Sequence, residues 1–234
     1  MPKAYVLLSG GIDSSTVLAV ANKDWGGRVC AVCVDYGQRH RKEIAQAEQI
    51  AIHFKNQFIV RDIKGFLQTG GLTDVHLDIP PVSYDDLPPG VSPTYVPFRN
   101  GTFLSLVAGM AAVDKEAEAI YIGVHAEDAE NWAYPDCTPE FMGGMANAIY
   151  IGTYHKIRLH TPLIFCRKSE IILKGEHLRV PWKHTWSCYE GGTLHCGVCP
   201  TCRARQDAFI FARVTDPTEY EDYSNAKDGF GETP

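Results

Sequence analysis

Two groups of residues in this 234-residue chain have the types and spacing to do chemistry. The first is Leu8-Ser9-Gly10-Gly11-Ile12-Asp13-Ser14-Ser15-Thr16, close to the N-terminus. Its glycines let the backbone approach an anion, and the hydroxyls of Ser9, Ser14, Ser15 and Thr16 add donors. The Gly-Lys-Ser/Thr ending of a Walker loop is missing, so a phosphate cradle of another kind is predicted. The plainer reading is a strand-to-helix corner whose glycines only make the turn, but a corner needs neither Asp13 nor a row of hydroxyls. The second group is Cys188, Cys196, Cys199 and Cys202, with Gly191, Gly192 and Gly197 among them. Four thiolates at this knuckle-like spacing fill the shell of a tetrahedral zinc ion and leave no position for water, so the site reads as structural. A Cys-x₂-Cys-x₂-Cys run also suits an iron–sulfur cluster. His195 is either a substitute ligand or a turn residue.

Other polar residues sit where predicted elements end. Asp35 closes a strand, and Arg39 and His40 follow it. At the carboxyl end of a parallel strand, Asp35 suits a ribose or base and Arg39 a phosphate; a capped, solvated turn is the alternative. Arg99 and Asn100 stand just before an apolar helix, placed to hold an anion by a planar fork and a helix N-terminus. Glu127, Asp128, Glu130 and Asp136 form an acidic loop. It suits Mg²⁺ or the amino groups of a polar heterocycle, or is simply solvated. Lys168 opens a helix, where a cation opposes the dipole. That points to a phosphate partner or to plain exposure. Cys30 and Cys33 lie in an apolar, β-branched run and read as buried strand thiols.

The elements that must position these groups alternate. Strands are predicted up to Leu8 and over 28–35, 57–60, 119–125 and 156–160. Helices follow Gly11 and cover 43–53, 103–113, 139–150, a segment from 167, and 203–213. This alternation predicts an α/β fold, a doubly wound parallel five-stranded sheet with a small C-terminal zinc-knuckle helical appendage. Residues 1–180 form the α/β domain, 181–214 the appendage and 215–234 a loosely held acidic tail. The proline-rich stretch 65–98 is a lid or a surface excursion. A net charge of -6 argues against a broad nucleic-acid face. No run of about 18 apolar residues is present, which argues against a membrane span. Eight cysteines and no room for a signal peptide suggest a reducing cytoplasm.

The string Ser9-Gly10-Gly11-Ile12-Asp13-Ser14-Ser15 resembles the pyrophosphate loop of the N-type ATP pyrophosphatases, which cut ATP between the α and β phosphates and pass AMP to an acceptor. Further motifs are Tyr36-Gly37-Gln38-Arg39-His40, Val96-Pro97-Phe98-Arg99-Asn100, Tyr134-Pro135-Asp136-Cys137, and His160-Thr161-Pro162-Leu163 with Lys168 and Glu170. With the cysteine set, the chain from Leu8 to about Arg205 resembles the QueC-type family of 7-cyano-7-deazaguanine synthases.

The resemblance implies an adenine nucleotide alpha-hydrolase-like fold and an ATP-dependent carbon–nitrogen ligase. Its substrates would be 7-carboxy-7-deazaguanine and ammonia. The carboxylate and then the amide would be adenylated, giving the nitrile preQ0 with AMP and pyrophosphate. It also implies Mg²⁺ with ATP, structural Zn²⁺ and a homodimer, with no nucleic-acid partner. Leu8, Ser9, Gly10, Gly11, Asp13, Ser14, Ser15, Thr16, Asp35 and Arg39 would hold the nucleotide. Asp13, Ser14, Arg99 and Lys168 would act on the transferring phosphate. Phe98, Arg99, Asn100, Glu127, Asp128, Tyr134 and Asp136 would hold the deazapurine. The family often has glycine where Phe98 stands, so a ring here is expected to reshape the substrate wall. Two rivals are a tRNA-thiolating pyrophosphatase with an iron–sulfur cluster and a non-catalytic nucleotide-binding module.

Overall fold

The computed structural model of the chain describes residues 1–38, 42–67, 71–73 and 90–222. Arg39 and His40 lie outside these residues, as does most of the proline-rich stretch. The strands are β1 (Ala4–Leu7), β2 (Val29–Asp35), β3 (Gln57–Asp62), β4 (Ala119–Tyr121) and β5 (Arg158–His160). All pair in parallel, in the spatial order β3-β2-β1-β4-β5. The helices are α1 (Ile12–Trp25), α2 (Lys42–His53), α3 (Arg99–Val113), α4 (Pro139–Gly152), α5 (Lys168–His177) and α6 (Pro200–Ala212).

The central strand β1 is buried on both faces, and its period of two divides the core into two layers. Ala4, Val6 and Leu8 face Val17 and Leu18 of α1, Ile50 of α2, Ile171 of α5 and Phe209 of α6. Tyr5 and Leu7 face Leu104 and Val107 of α3 and Met142 and Ile149 of α4. The same alternation decides the fate of Cys30 and Cys33. Being three apart, they fall on opposite faces of the sheet, so they cannot share a metal or a disulfide. Burial pushes both thiols up to about 12, leaving them inert.

The direction in which successive strands are added to the sheet reverses between β1 and β4. Open α/β sheets bind ligands at such a switch point, beyond the carboxyl ends of the strands. Several elements are arranged there differently from the sequence expectation. Strand β4 stops at Tyr121 rather than 125 because the chain leaves the sheet to wrap the start of α1. A Cβ on Gly123 would lie 2.8 Å from the Asp13 carbonyl carbon and the Ser14 nitrogen. Helix α3 begins at Arg99 rather than near 103, so Arg99 and Asn100 form its first turn. Helix α6 begins at Pro200, whose fixed φ suits the first helical position, so Cys202 lies in that first turn.

Of the segment from 215 onward, residues 215–222 are described, and they are held. Asp216 pairs with the fully buried Arg205 at 3.0 Å. Tyr220 packs with Trp186, Cys188, Cys199 and Cys202.

Candidate active site and metal cluster

The phosphate loop is shaped by close packing. Gly10 has φ +85°, and a Cβ there would meet the Glu43 carbonyl oxygen at 2.7 Å and the Ala47 nitrogen at 3.0 Å. Only glycine lets β1, the loop and α2 meet this closely. Gly11 stands at the N-cap of α1, and no side chain caps that terminus. Its free N–H groups and positive dipole end therefore remain for an anion. Ser9 and Ser14 support the turn, with their hydroxyls 3.0 Å apart.

This loop forms one wall of a cleft of 890 Å³ at the switch point, near the upper end of the range for ligand pockets. Leu8, Ser9, Gly11, Asp13 and Ser14 line it; Arg99, Asn100, Glu127, Asp128, Tyr134 and Lys168 line it from other elements. Ser15 and Thr16 lie elsewhere. Their hydroxyls donate to the carbonyls of Gly11 and Ile12 at 2.6 and 2.9 Å, inside α1. Asp35 is buried beside the Lys64 ammonium at 2.9 Å and accepts from the Gly37 N–H. Asp136 is spent on the start of α3. Its Oδ2 accepts from the Asn100 N–H at 2.8 Å, and burial raises its pKa despite that bond and the nearby Arg99. Phe98 is exposed in the left-handed region at φ +58° and leans on Phe141 rather than on the cleft. Arg39 lies outside the described residues.

Lys168 joins the two ends of the site. Its ammonium sits 2.6 Å from Asp13 Oδ2 and 3.2 Å from His125 Nε2. Its backbone N–H donates to Glu127 at 2.8 Å. Burial opposes the charge on both partners, but the charges and hydrogen bonds around them together more than offset it, Lys168 foremost for Asp13 and Asp13 foremost for Lys168. The Asp13 pKa is lowered and that of Lys168 raised, so both are ionised. His125 is a cleft residue that no local sequence pattern marks. Buried just beyond β4, it lies 3.3 Å from Asp128 Oδ2. Its position at the end of a strand next to the switch point was the available signal.

Across the cleft, Arg99 points a guanidinium N–H at the Tyr36 hydroxyl, 3.4 Å away. Burial works against its charge, while Tyr36 and Asp136 hold the proton, so it stays a fixed cation. The Tyr134 hydroxyl joins Ser92 and Thr94 in a buried network and lies 3.4 Å from the Tyr189 hydroxyl. Cys137 accepts from the Asn100 side-chain amide at 3.4 Å. Burial and the neighbouring Asp128 and Asp136 raise its pKa well above the ordinary value, so no thiolate nucleophile is offered here.

The four predicted cysteines come together. Their sulfurs all lie within 4.8 Å of one another, and Cys196 and Cys202 are 3.9 Å apart. That spacing fits the edge of a tetrahedron built from metal–sulfur bonds of about 2.3 Å. Backbone N–H groups of Glu190 and Cys196 point at Cys188 Sγ, and that of Cys199 points at Cys196 Sγ. Such donors stabilise thiolates. His195 stands outside the sulfur group. Its Nε2 accepts from the Ser187 N–H at 3.1 Å, and burial, then Arg205, push it down to about 3. The cluster segment also closes the cleft. Trp186 N–H donates to the Gly10 carbonyl at 2.8 Å, Lys42 lies 3.9 Å above the Trp186 ring, and Tyr189 lines the cavity. Among the described residues no helix is long and apolar enough to cross a membrane.

Comparison with known proteins agrees with this arrangement. Residues 3–213 match the family described as queuosine biosynthesis protein QueC. The 7-cyano-7-deazaguanine synthase of Nostoc punctiforme is 42% identical over 229 residues, covering 93% of this chain and 99% of that one. Its counterpart in Thermoplasma acidophilum is 40% identical over 227 residues, covering 94% and 93%. That of Methanosphaerula palustris is 42% identical over 226 residues, covering 94% and 100%. The matched span includes the phosphate loop, the cleft residues and the four cysteines, and the chain belongs to the QueC family.

Proposed function

We propose that this chain is an ATP-dependent carbon–nitrogen ligase that converts 7-carboxy-7-deazaguanine and ammonia to 7-cyano-7-deazaguanine, releasing AMP and pyrophosphate. The observation that carries the reading is the convergence of the glycine loop, Lys168 and Arg99 on one cleft, in a chain whose QueC relatives are named as that synthase.

The chemistry follows from the substrate. A carboxylate is a poor electrophile, and transfer of AMP turns it into a mixed anhydride with a good leaving group. Ammonia displaces AMP to give the amide. A second adenylation, on the amide oxygen, permits dehydration to the nitrile. Each adenylation builds charge on phosphate oxygens. Fixed cations and free backbone N–H groups stabilise that charge without reorganising, which is the work assigned to Arg99, Lys168 and the start of α1. Tyr134 and the Tyr189 side of the cleft hold the deazapurine, with Asp136 fixing the first turn of α3 beneath it.

Asp13 Oδ1 is buried with no hydrogen-bond partner. With Asp128 it would hold Mg²⁺, which prefers carboxylate oxygen. That ion neutralises phosphate charge when bound. The cysteine cluster takes Zn²⁺ as a closed structural site. The family relation also supports a homodimer acting on small molecules, which sedimentation checks.

The test is mass spectrometry of the small molecules after incubation with 7-carboxy-7-deazaguanine, MgATP and an ammonium salt. The nitrile with AMP and pyrophosphate is expected. No ATP turnover from folded, zinc-loaded protein would overturn the reading and favour a binding module. Arg99→Ala is expected to slow AMP formation by about 10²–10³-fold, the usual loss when one transition-state donor is removed, while leaving the unfolding midpoint nearly unchanged.

A further inference from the structure

The cleft contains a carboxylate that the adenylation chemistry does not use. Glu43 lies in the first turn of α2, and its side chain lines the cavity with Tyr36, Gln38 and Arg99. It makes no ion pair or hydrogen bond among the described residues. Helix α2 is held there by the backbone contact of Glu43 and Ala47 against Gly10, so this carboxylate has a fixed place beside the phosphate loop. Among the described residues, the titratable groups facing it are Arg99 from α3 and, from β2 and the residue after it, Cys33 and Tyr36. Strand β3 and the turn at 182–184 also pack on α2, but no charge on either acts on it. Burial pushes the Glu43 carboxyl up to about 7, while Arg99 pulls it down. A cleft carboxylate with no partner among the described residues suits a small cation that arrives, reacts and leaves.

We infer that Glu43 is the ammonium site of this enzyme and the base that takes protons from the incoming nitrogen. The inference rests on the ligase reading above. In the ligase reading Arg99 holds the phosphate of the activated carboxylate, and Glu43 lines the same cleft, so a nitrogen held at Glu43 shares that cleft with the carbon it must attack. The steps balance. Ammonium transfers one proton to Glu43 and becomes ammonia with a free electron pair. That pair forms the C–N bond to the acyl carbon, and the C–O bond to AMP breaks with its pair leaving on AMP. Glu43 passes its proton to solvent and takes the surplus proton from nitrogen. The acyl adenylate and ammonium have then become amide, AMP and two protons. After the amide oxygen is adenylated, the same carboxylate faces the amide nitrogen. It takes the two N–H protons in turn, passing the first to solvent, as the C–O bond breaks and the nitrile forms. A group with a pKa near neutral can accept and release protons repeatedly at the working pH.

The test uses the full, zinc-loaded chain with Glu43→Gln and Glu43→Asp. Rates are measured against ammonium chloride, ATP and 7-carboxy-7-deazaguanine separately. For Glu43→Gln the apparent KM for ammonium is expected to rise tenfold or more and the rate of nitrile formation to fall about 10²-fold or more. The KM values for ATP and for the carboxylate should stay within threefold of wild type. Glu43→Asp keeps the base and is expected to recover part of the loss. Hydroxylamine, already neutral at pH 7, skips the first proton transfer and is expected to form the hydroxamate with Glu43→Gln with a smaller loss of rate than ammonium shows. A wild-type KM for ammonium in Glu43→Gln would overturn the inference. So would an equal loss with hydroxylamine and ammonium, which marks a packing role. Wild-type enzyme that makes no AMP from the carboxylate would overturn the ligase reading itself, and the inference with it.

Discussion

Arg205 is the most instructive residue to remove. It is fully buried, and its guanidinium donates to both oxygens of Asp216 at 3.0–3.2 Å, to Thr185 Oγ1 at 2.7 Å and to the Trp182 carbonyl at 3.3 Å. Replacing it with methionine keeps much of the volume but leaves a buried carboxylate without its cation. Breaking a buried pair in this way costs about 3–5 kcal/mol. Asp216 still receives the Tyr220 hydroxyl at 2.7 Å and the Thr218 N–H at 3.1 Å, which puts Arg205→Met near the lower end. At about 2–4 °C per kcal/mol for a chain of this size, the melting temperature should fall by roughly 6–12 °C. The double variant Arg205→Met, Asp216→Asn removes the stranded charge and should regain about 1–2 kcal/mol of that loss. The pH dependence has a definite sign. Burial raises the Asp216 pKa, but Arg205 and its other donors lower it below the ordinary value. Its contribution is therefore present above pH 4 and lost as pH falls through the depressed value. Arg205→Met should flatten the acid limb of the stability curve. Urea titrations at several pH values measure both effects. Equal stability of the single and double variants would refute the reasoning, because the cost would then come from packing alone.

Two further outcomes are expected. Phe98→Gly places at φ +58° the residue type that accepts it, relieving about 1–2 kcal/mol and losing a ring pair with Phe141 worth about 0.5–1.5 kcal/mol. The melting temperature should move by less than about 4 °C and the KM for the carboxylate should be unchanged; a several-fold change in KM would return Phe98 to the substrate wall. Stripping the metal with a strong chelator should release the Trp186 N–H from Gly10 and abolish turnover while far-ultraviolet dichroism keeps the sheet signal. Full activity of metal-free protein would show that the cluster does not support the loop.

The sequence made the glycine loop and the four cysteines visible because their chemistry is local, with neighbours in the chain also neighbours in space. The βαβ rhythm likewise gave the sheet, since each strand's burial is written in its own residues. What escaped depended on long-range placement. Nothing near His125 in the chain marks it as a partner of Lys168, which lies on another element. Arg205 and Asp216 read as one helix cation and one tail acid until the fold buried them together. Ser15 and Thr16 looked like phosphate donors, although their place inside α1 turns their hydroxyls to the carbonyls four residues back. Phe98 was expected on the substrate wall. One left-handed residue before α3 turns it outward, and no residue-type pattern announces that turn.

The bond from Trp186 to the Gly10 carbonyl has a consequence for how the protein comes into being. The glycine loop follows β1, yet it is closed by a segment far along the chain, beside the cysteine cluster. A growing or partly folded chain can assemble β1, α1 and β2 early and still lack a finished catalytic site. Closure of the glycine loop thus becomes a long-range folding event, slow in the way that contacts between distant parts of a chain are slow. Trp186, its ring tilted against that of His195 at 4.1 Å and lying under Lys42 at 3.9 Å, is placed to report that event by its own fluorescence.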